Sequence, residues 1–129
     1  ILDRAAGGYR FAYPLVRDVL HEGLAASERA RLHGLAARAM EAHLGESDDH
    51  VRVAQVAAHW VEAAAIGDVD AAVDWCLRAA SLASAAGDAS AARSSATRGL
   101  VAIELSPTPD AAKRARLRAW VDAPPSSRA

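Results

Sequence analysis

GDVDAAVDWCLRAASLASAAGDASAAR, residues 67–93, decides the fold. The stretch opens and closes on the same phrase. Gly67-Asp68 and Gly87-Asp88 stand 20 residues apart, each followed by an alanine pair, Ala71-Ala72 and Ala91-Ala92. Glycine ends a helix because it accepts the left-handed backbone found just past the last turn. Aspartate starts the next one because its carboxylate accepts hydrogen bonds from the free N–H groups of a first turn. A stop followed at once by a start predicts helices joined by tight turns.

The rhythm continues outward. PTPDAAK (107–113) repeats the phrase weakly, and Asp48 and Thr108 extend the spacing to four expected N-caps: Asp48, Asp68, Asp88 and Thr108. Four helices follow, over about 50–66, 69–86, 89–105 and 109–122. Two helices and their turns make a hairpin of about 40 residues, between the ~34 of tetratricopeptide repeats and the ~40–47 of HEAT-like repeats. Residues 46–122 are therefore expected to form antiparallel helical hairpins of an α-solenoid, tetratricopeptide-like, packed closely on alanine. Trp60, Trp75 and Trp120 are expected to fill gaps between hairpins, with a ligand-lining role as the alternative. The end, APPSSRA (123–129), has two prolines and no period, as a linker or frayed tail would.

Upstream, residues 1–45 read differently. Ile1–Arg4, the turn Ala5-Ala6-Gly7-Gly8 and the alternating Tyr9, Phe11 and Tyr13 predict a β-hairpin. Pro14 suits the first position of a helix running to about Leu24, with Leu15, Val16, Val19, Leu20 and Leu24 as its apolar stripe. Ser27 is then expected to cap a second helix, with Glu28 in its first turn. That helix would bury Leu32, Leu35, Ala36, Ala39, Met40 and Leu44, and Gly45 would close it. The fold class is thus mainly α, with a short N-terminal hairpin.

Composition narrows the function. Of 129 residues, 52% are hydrophobic but 5% aromatic, so the apolar content is largely alanine and each helix gains little burial. Fifteen basic residues against 16 acidic ones argue against a globally basic nucleic-acid binder. The lone Cys76 has no internal disulfide partner and sits in an apolar helix, which fits a reducing cytosol. With no signal peptide and no run of about 18 apolar residues, a cytoplasmic, non-membrane location is expected. The chain starts at Ile1 rather than methionine and reads as a piece of a larger protein.

Chemistry-bearing residues are weighed against plainer roles. His43, Glu46, Asp48, Asp49, His50 and His59 gather near one loop, but HExxH and paired CxxC spacings are missing, so a polar loop explains them better than a metal site. Nothing in the sequence places a base beside Cys76, which reads as an inert buried thiol. Lys113, Arg114, Arg116 and Arg118 form a basic run without interleaved aromatics, expected to be a solvated helix face. No GxxxxGK[ST] phosphate loop occurs, so no motif here binds ATP. Catalytic residues, metal ligands and cofactors are expected to be absent from this segment.

Tyr9–His33 carries a resemblance. Its matching residues are Arg10-Phe11, Leu15-Val16-Arg17, Leu20, Leu24, Arg29 and Leu32-His33. They resemble the end of the winged-helix subdomain in bacterial STAND-type regulatory ATPases, including LuxR-type transcriptional regulators with an AAA-like module. Tyr13 stands where that family usually has histidine, and His21 where tyrosine is common. The resemblance implies a non-catalytic regulatory segment joining an ATPase module to a helical-repeat sensor region. Phe11, Leu15, Arg17, Leu24, Arg29 and His33 would form the interdomain junction, with Arg17 and Arg29 paired to acids across it. ATP and Mg2+ would belong to the parent's ATPase module, an intramolecular partner of this segment. A protein or small-molecule inducer would bind the repeats, and nucleic acid would be contacted elsewhere. The residues alone leave two alternatives open: a free-standing helical-repeat adaptor that binds a peptide, and a winged-helix DNA binder, which would need a recognition helix before Ile1.

Overall fold

Three glycines divide most of the chain into helices. Gly45, Gly67 and Gly87 adopt φ of 60°, 131° and 84°, where a side chain would be strained. The turn at Gly87 is a Schellman motif: its N–H donates to the Ser84 carbonyl at 3.0 Å, and that of Asp88 to the Ala83 carbonyl at 2.8 Å. The computed structural model describes residues 7–123, with side chains from Glu22 onward, Leu24 excepted. Within them lie α1 (Gly7–Leu44), α2 (His50–Ala63), α3 (Val69–Ala85), α4 (Ala89–Ile103) and α5 (Ala111–Asp122). A 3-10 turn, Ala64–Ile66, extends α2.

Aspartates begin four of these helices. The Asp49 carboxylate accepts from the N–H groups of Val51 and Arg52, that of Asp88 from Ala91, and that of Asp110 from Lys113. Asp68 holds the cap position of α3 without a side-chain cap bond. Two expected caps move. Asp49 replaces Asp48, in a loop where the Ser47 hydroxyl accepts from the Asp49 N–H at 3.1 Å. Asp110 replaces Thr108, whose N–H is turned onto the Ser106 hydroxyl.

Each helix packs on the one before and the one after it, while α2 also touches α4 and α3 touches α5. Tight turns make sequential neighbours antiparallel. As the middle helix, α3 is covered on two sides and buries Ala72, Val73, Cys76, Leu77, Ala79, Ala80 and Ala83. By contrast α5, the last, buries Leu117. Small side chains let the axes approach. At Gly99 of α4, a Cβ would lie 2.6 Å from Leu117 of α5 and 3.0 Å from the Cβ of Cys76 in α3. Three helices meet where one side chain is missing.

Residues 7–45 differ from expectation. No strand occurs among the described residues. One arm of the expected hairpin, Ile1–Arg4, lies outside them, and the other, Tyr9–Tyr13, falls within α1. Pro14 also lies within α1 rather than at its start. The expected break near Leu24 and the Ser27 cap are replaced by one 38-residue helix that runs through both Gly23 and Ser27. A helical glycine costs about 1 kcal/mol relative to alanine, too little to stop a helix flanked by good formers such as Ala25, Ala26 and Ala30. The tail residues 124–129 lie outside the described residues.

Candidate functional site

The joint between α1 and the array is where the sequence placed function, and the structure builds it on an unexpected face. Ala30, Ala37 and Leu44 are buried, and His33, Gly34, Met40 and Glu41 are partly buried between them. These positions recur at three- and four-residue steps, which is one helix face. The predicted stripe is rotated from it: Met40 and Leu44 belong to the contact, but Leu32 and Leu35 are 52% and 48% exposed. Close approach selects the small residues. A Cβ added at Gly34 would sit 3.5 Å from the Cβ of Ala63, ordinary contact distance, so the two helices meet there backbone against alanine.

Polar side chains lock this joint. Trp60 of α2 is 5% exposed, and its indole N–H donates to the Glu41 carboxylate. Arg38 lies over the Trp60 ring, 5.6 Å from its centroid, and reaches the Asp68 carboxylate at 3.7 Å. It thereby links α1, α2 and the start of α3. Beside it a cleft of about 370 Å³ opens, lined by Arg31, Leu35, Arg38, Trp60, Ile66 and Asp68. Elsewhere on the joint, Nδ1 of His33 and Nδ1 of His59 are 2.8 Å apart. A second clamp lies nearby: Arg78 of α3 covers the Trp75 ring at 4.7 Å and donates to the Ser47 carbonyl at 3.1 Å.

Of the six expected junction residues, the structure brings His33 into the joint. Arg29 stands exposed on α1, where the neighbouring ion pair is Arg31 with Glu28. That pair holds the Glu28 carboxyl below its ordinary value, through a hydrogen bond and the guanidinium charge, and raises Arg31 likewise. Both groups are exposed, so water screens the gain. Phe11, Leu15, Arg17 and Leu24 lie on α1, and their side chains are outside the described residues. The clamping arginines are Arg38 and Arg78, which the sequence reading missed. A visible signal existed for the face itself, in the small residues Ala30, Gly34 and Ala37, but the contact of Arg38 with Trp60 and the reach of Arg78 to the Ser47 carbonyl join different elements and leave no local pattern.

Cys76 is fully buried, and burial pushes its thiol up to about 12, against a smaller opposing effect of the Arg98 charge. Its thiolate is therefore scarce at neutral pH. In the histidine-rich loop, Asp49 caps α2, while Nε2 of His50 faces the Asp88 carboxylate at 3.4 Å. The Ala91 N–H first, and then His50, hold Asp88 below its ordinary value, with burial opposing. His43 lines a second cleft of about 300 Å³ with Met40, Arg52 and Gln55. Among the described residues no three metal-binding side chains converge. In the basic run, Lys113 pairs with Asp74 at 2.7 Å and Arg114 with Glu104 at 3.0 Å, leaving Arg116 and Arg118 exposed. Its hydrogen bond to Asp74 raises Lys113. Trp60 fills the α1–α2 joint, and Trp75 and Trp120 are partly buried at the edge of the core. No described helix is long and apolar enough to cross a membrane.

Comparison with family models, curated proteins and solved structures returned no match to this chain.

Proposed function

We propose that this chain is a non-catalytic scaffold segment, an α-solenoid of tetratricopeptide-like hairpins tied by its long first helix to a neighbouring module. The reading follows the arrangement in STAND-type ATPase transcriptional regulators, where such a segment couples a nucleotide-binding module to a helical-repeat sensor. Residues 1–45 are then the junction, 46–122 the repeats and 123–129 a linker. ATP and Mg2+ belong to the neighbouring module, and the inducer, protein or small molecule, to the repeats.

One observation supports it above the others: α1 is continuous for 38 residues, and its last two turns and more are clamped to α2 and α3 through Trp60, Glu41, Arg38 and Asp68. A stiff helix fixed at one end carries a displacement of its other end into the array. The hairpin that would complete a winged helix needs a strand at Tyr9–Tyr13, which fall in α1, so the proposed coupling runs through the helix. The coding sequence upstream tests the assignment. A GxxxxGK[ST] loop followed by a regulatory ATPase module is the expected result. A start codon shortly before Ile1, with no such loop, would sink it.

A second reading, a free-standing adaptor that captures a peptide, is favoured by the cleft beside Trp60, where Leu35 and Ile66 are about half exposed. It requires residues 45–122 to fold alone and bind without nucleotide. Circular dichroism showing that fragment unfolded would remove it.

A further inference from the structure

Imidazole chemistry limits what the contact between His33 and His59 can be. A neutral ring has one N–H and one lone pair, and a protonated ring has two N–H groups and no acceptor. A hydrogen bond between two Nδ1 atoms therefore needs one ring whose Nδ1 is bare. The two nitrogens are 2.8 Å apart, with ring centroids at 5.0 Å and planes tilted by 36°. The difference between these distances nearly equals the two ring radii, so the nitrogens lie close to the line of centres and face head-on. A metal ion held head-on, with bonds of about 2 Å, would need them about 4 Å apart. The geometry is that of a shared proton.

We propose that the His33–His59 pair is a pH-sensitive latch between α1 and α2, closed while at most one ring is protonated and open when both are. With no extra proton the bond is a neutral N–H···N contact. With one, the imidazolium donates to its neutral neighbour and the bond gains charge assistance. With two, both Nδ1 atoms carry hydrogen and like charges face each other at contact distance. The rings must then part.

The surroundings leave the second charge unsupported on the core side. Ala30, Ala37, Val56 and Ala63, the buried positions flanking the pair along the two helices, are apolar. Charged neighbours in sequence are Arg29, one turn before His33 on α1, and Glu62, three residues beyond His59 on α2, both exposed. The 3-10 turn, Ala64–Ile66, carries no charge. Among the described residues, no hydrogen bond or ion pair from α3 or α4 reaches either ring. Both histidines are partly buried, so a ring can reach water by rotating. Because Gly34, Ala63, Trp60 and Glu41 hold the joint elsewhere, opening the latch loosens α1 without detaching it.

Nitrogen-15 NMR of the 129-residue chain tests this, with His33→Asn and His59→Asn as variants. The range is about pH 8 to 5, where imidazoles titrate. At neutral pH a scalar coupling across the Nδ1–H···Nδ1 bond is expected, and it should vanish on acidification. The two rings should titrate interdependently, each curve changing when the other ring is replaced. Amide exchange over residues 30–44, corrected for its intrinsic pH dependence, should speed several-fold on acidification relative to α3, and either variant should abolish that excess. Absence of the coupling at neutral pH, or titration of each ring unaffected by removal of the other, would overturn the latch. So would an equal acceleration in wild type and variants. The coupling measurement needs no variant, so it decides even if one fails to fold.

Discussion

Single glycines in this protein have opposite roles, and alanine substitution separates them. At Gly99 an added Cβ would approach the fully buried Leu117 to 2.6 Å and the Cβ of Cys76 to 3.0 Å. Overpacking of that kind costs about 1–3 kcal/mol, against a gain of about 1 kcal/mol in helix propensity. Gly99→Ala should lower stability by roughly 1 kcal/mol in urea unfolding. At Gly23, in α1, nothing among the described residues lies within 4 Å of the same position. Gly23→Ala should raise stability by about 0.5–1 kcal/mol, and a loss there would contradict a continuous helix. Cys76 gives a chemical test at the same scale. With its thiol pushed up to about 12 by burial, it should resist iodoacetamide at pH 8 in the folded protein and react once denatured. Rapid modification without denaturant would show that α3 is not covered as described. The sequence foretold a buried cysteine from its apolar neighbours. It did not foretell Gly99, because a lone glycine inside a helical pattern looks like weakness until its neighbours in space are known.

Helix boundaries were legible where backbone chemistry is local. Gly45, Gly67 and Gly87 all read as stops, and all three have the positive φ that a stop requires. From α2 onward caps were legible to within two residues, since neighbouring polar residues compete for each role, whereas Ser27 lies inside α1 and caps nothing. Asp49→Ala should cost about 1 kcal/mol, whereas Asp48→Ala should stay within about 0.5 kcal/mol. Equal losses at both positions, in thermal or urea unfolding, would restore the expected spacing. Periodicity was less decisive upstream. Tyr9, Phe11 and Tyr13 alternate as a strand does, but Phe11, Leu15 and Val19 also recur at helical spacing, and the segment lies in α1. The buried face of α1 was misread for a different reason. Leucine is the more hydrophobic choice, but along most of the joint the contact is made by Ala30, Gly34 and Ala37, and Leu32 and Leu35 are left outside.

At the scale of the molecule, the order of helices followed from one repeated phrase, because alternating stops and starts leave few ways to stack antiparallel neighbours. Contacts that cross the stack were beyond reach: His33 with His59, Arg38 with Trp60 and Asp68, and Lys113 with Asp74 join residues 22 to 39 positions apart. No residue among them names its partner in its own neighbourhood of the sequence. The functional account depends on α1 being one stiff element anchored to the array, rather than two helices with a turn at Gly23–Ser27. Spin labels on cysteines introduced at Asp18 and Ala42 measure this directly, and the buried Cys76 should remain unlabelled. Twenty-four residues of continuous helix separate the labels by about 36 Å at 1.5 Å per residue. A single narrow distribution near that distance is the predicted result, and a shorter or multiple-peaked one would contradict the account.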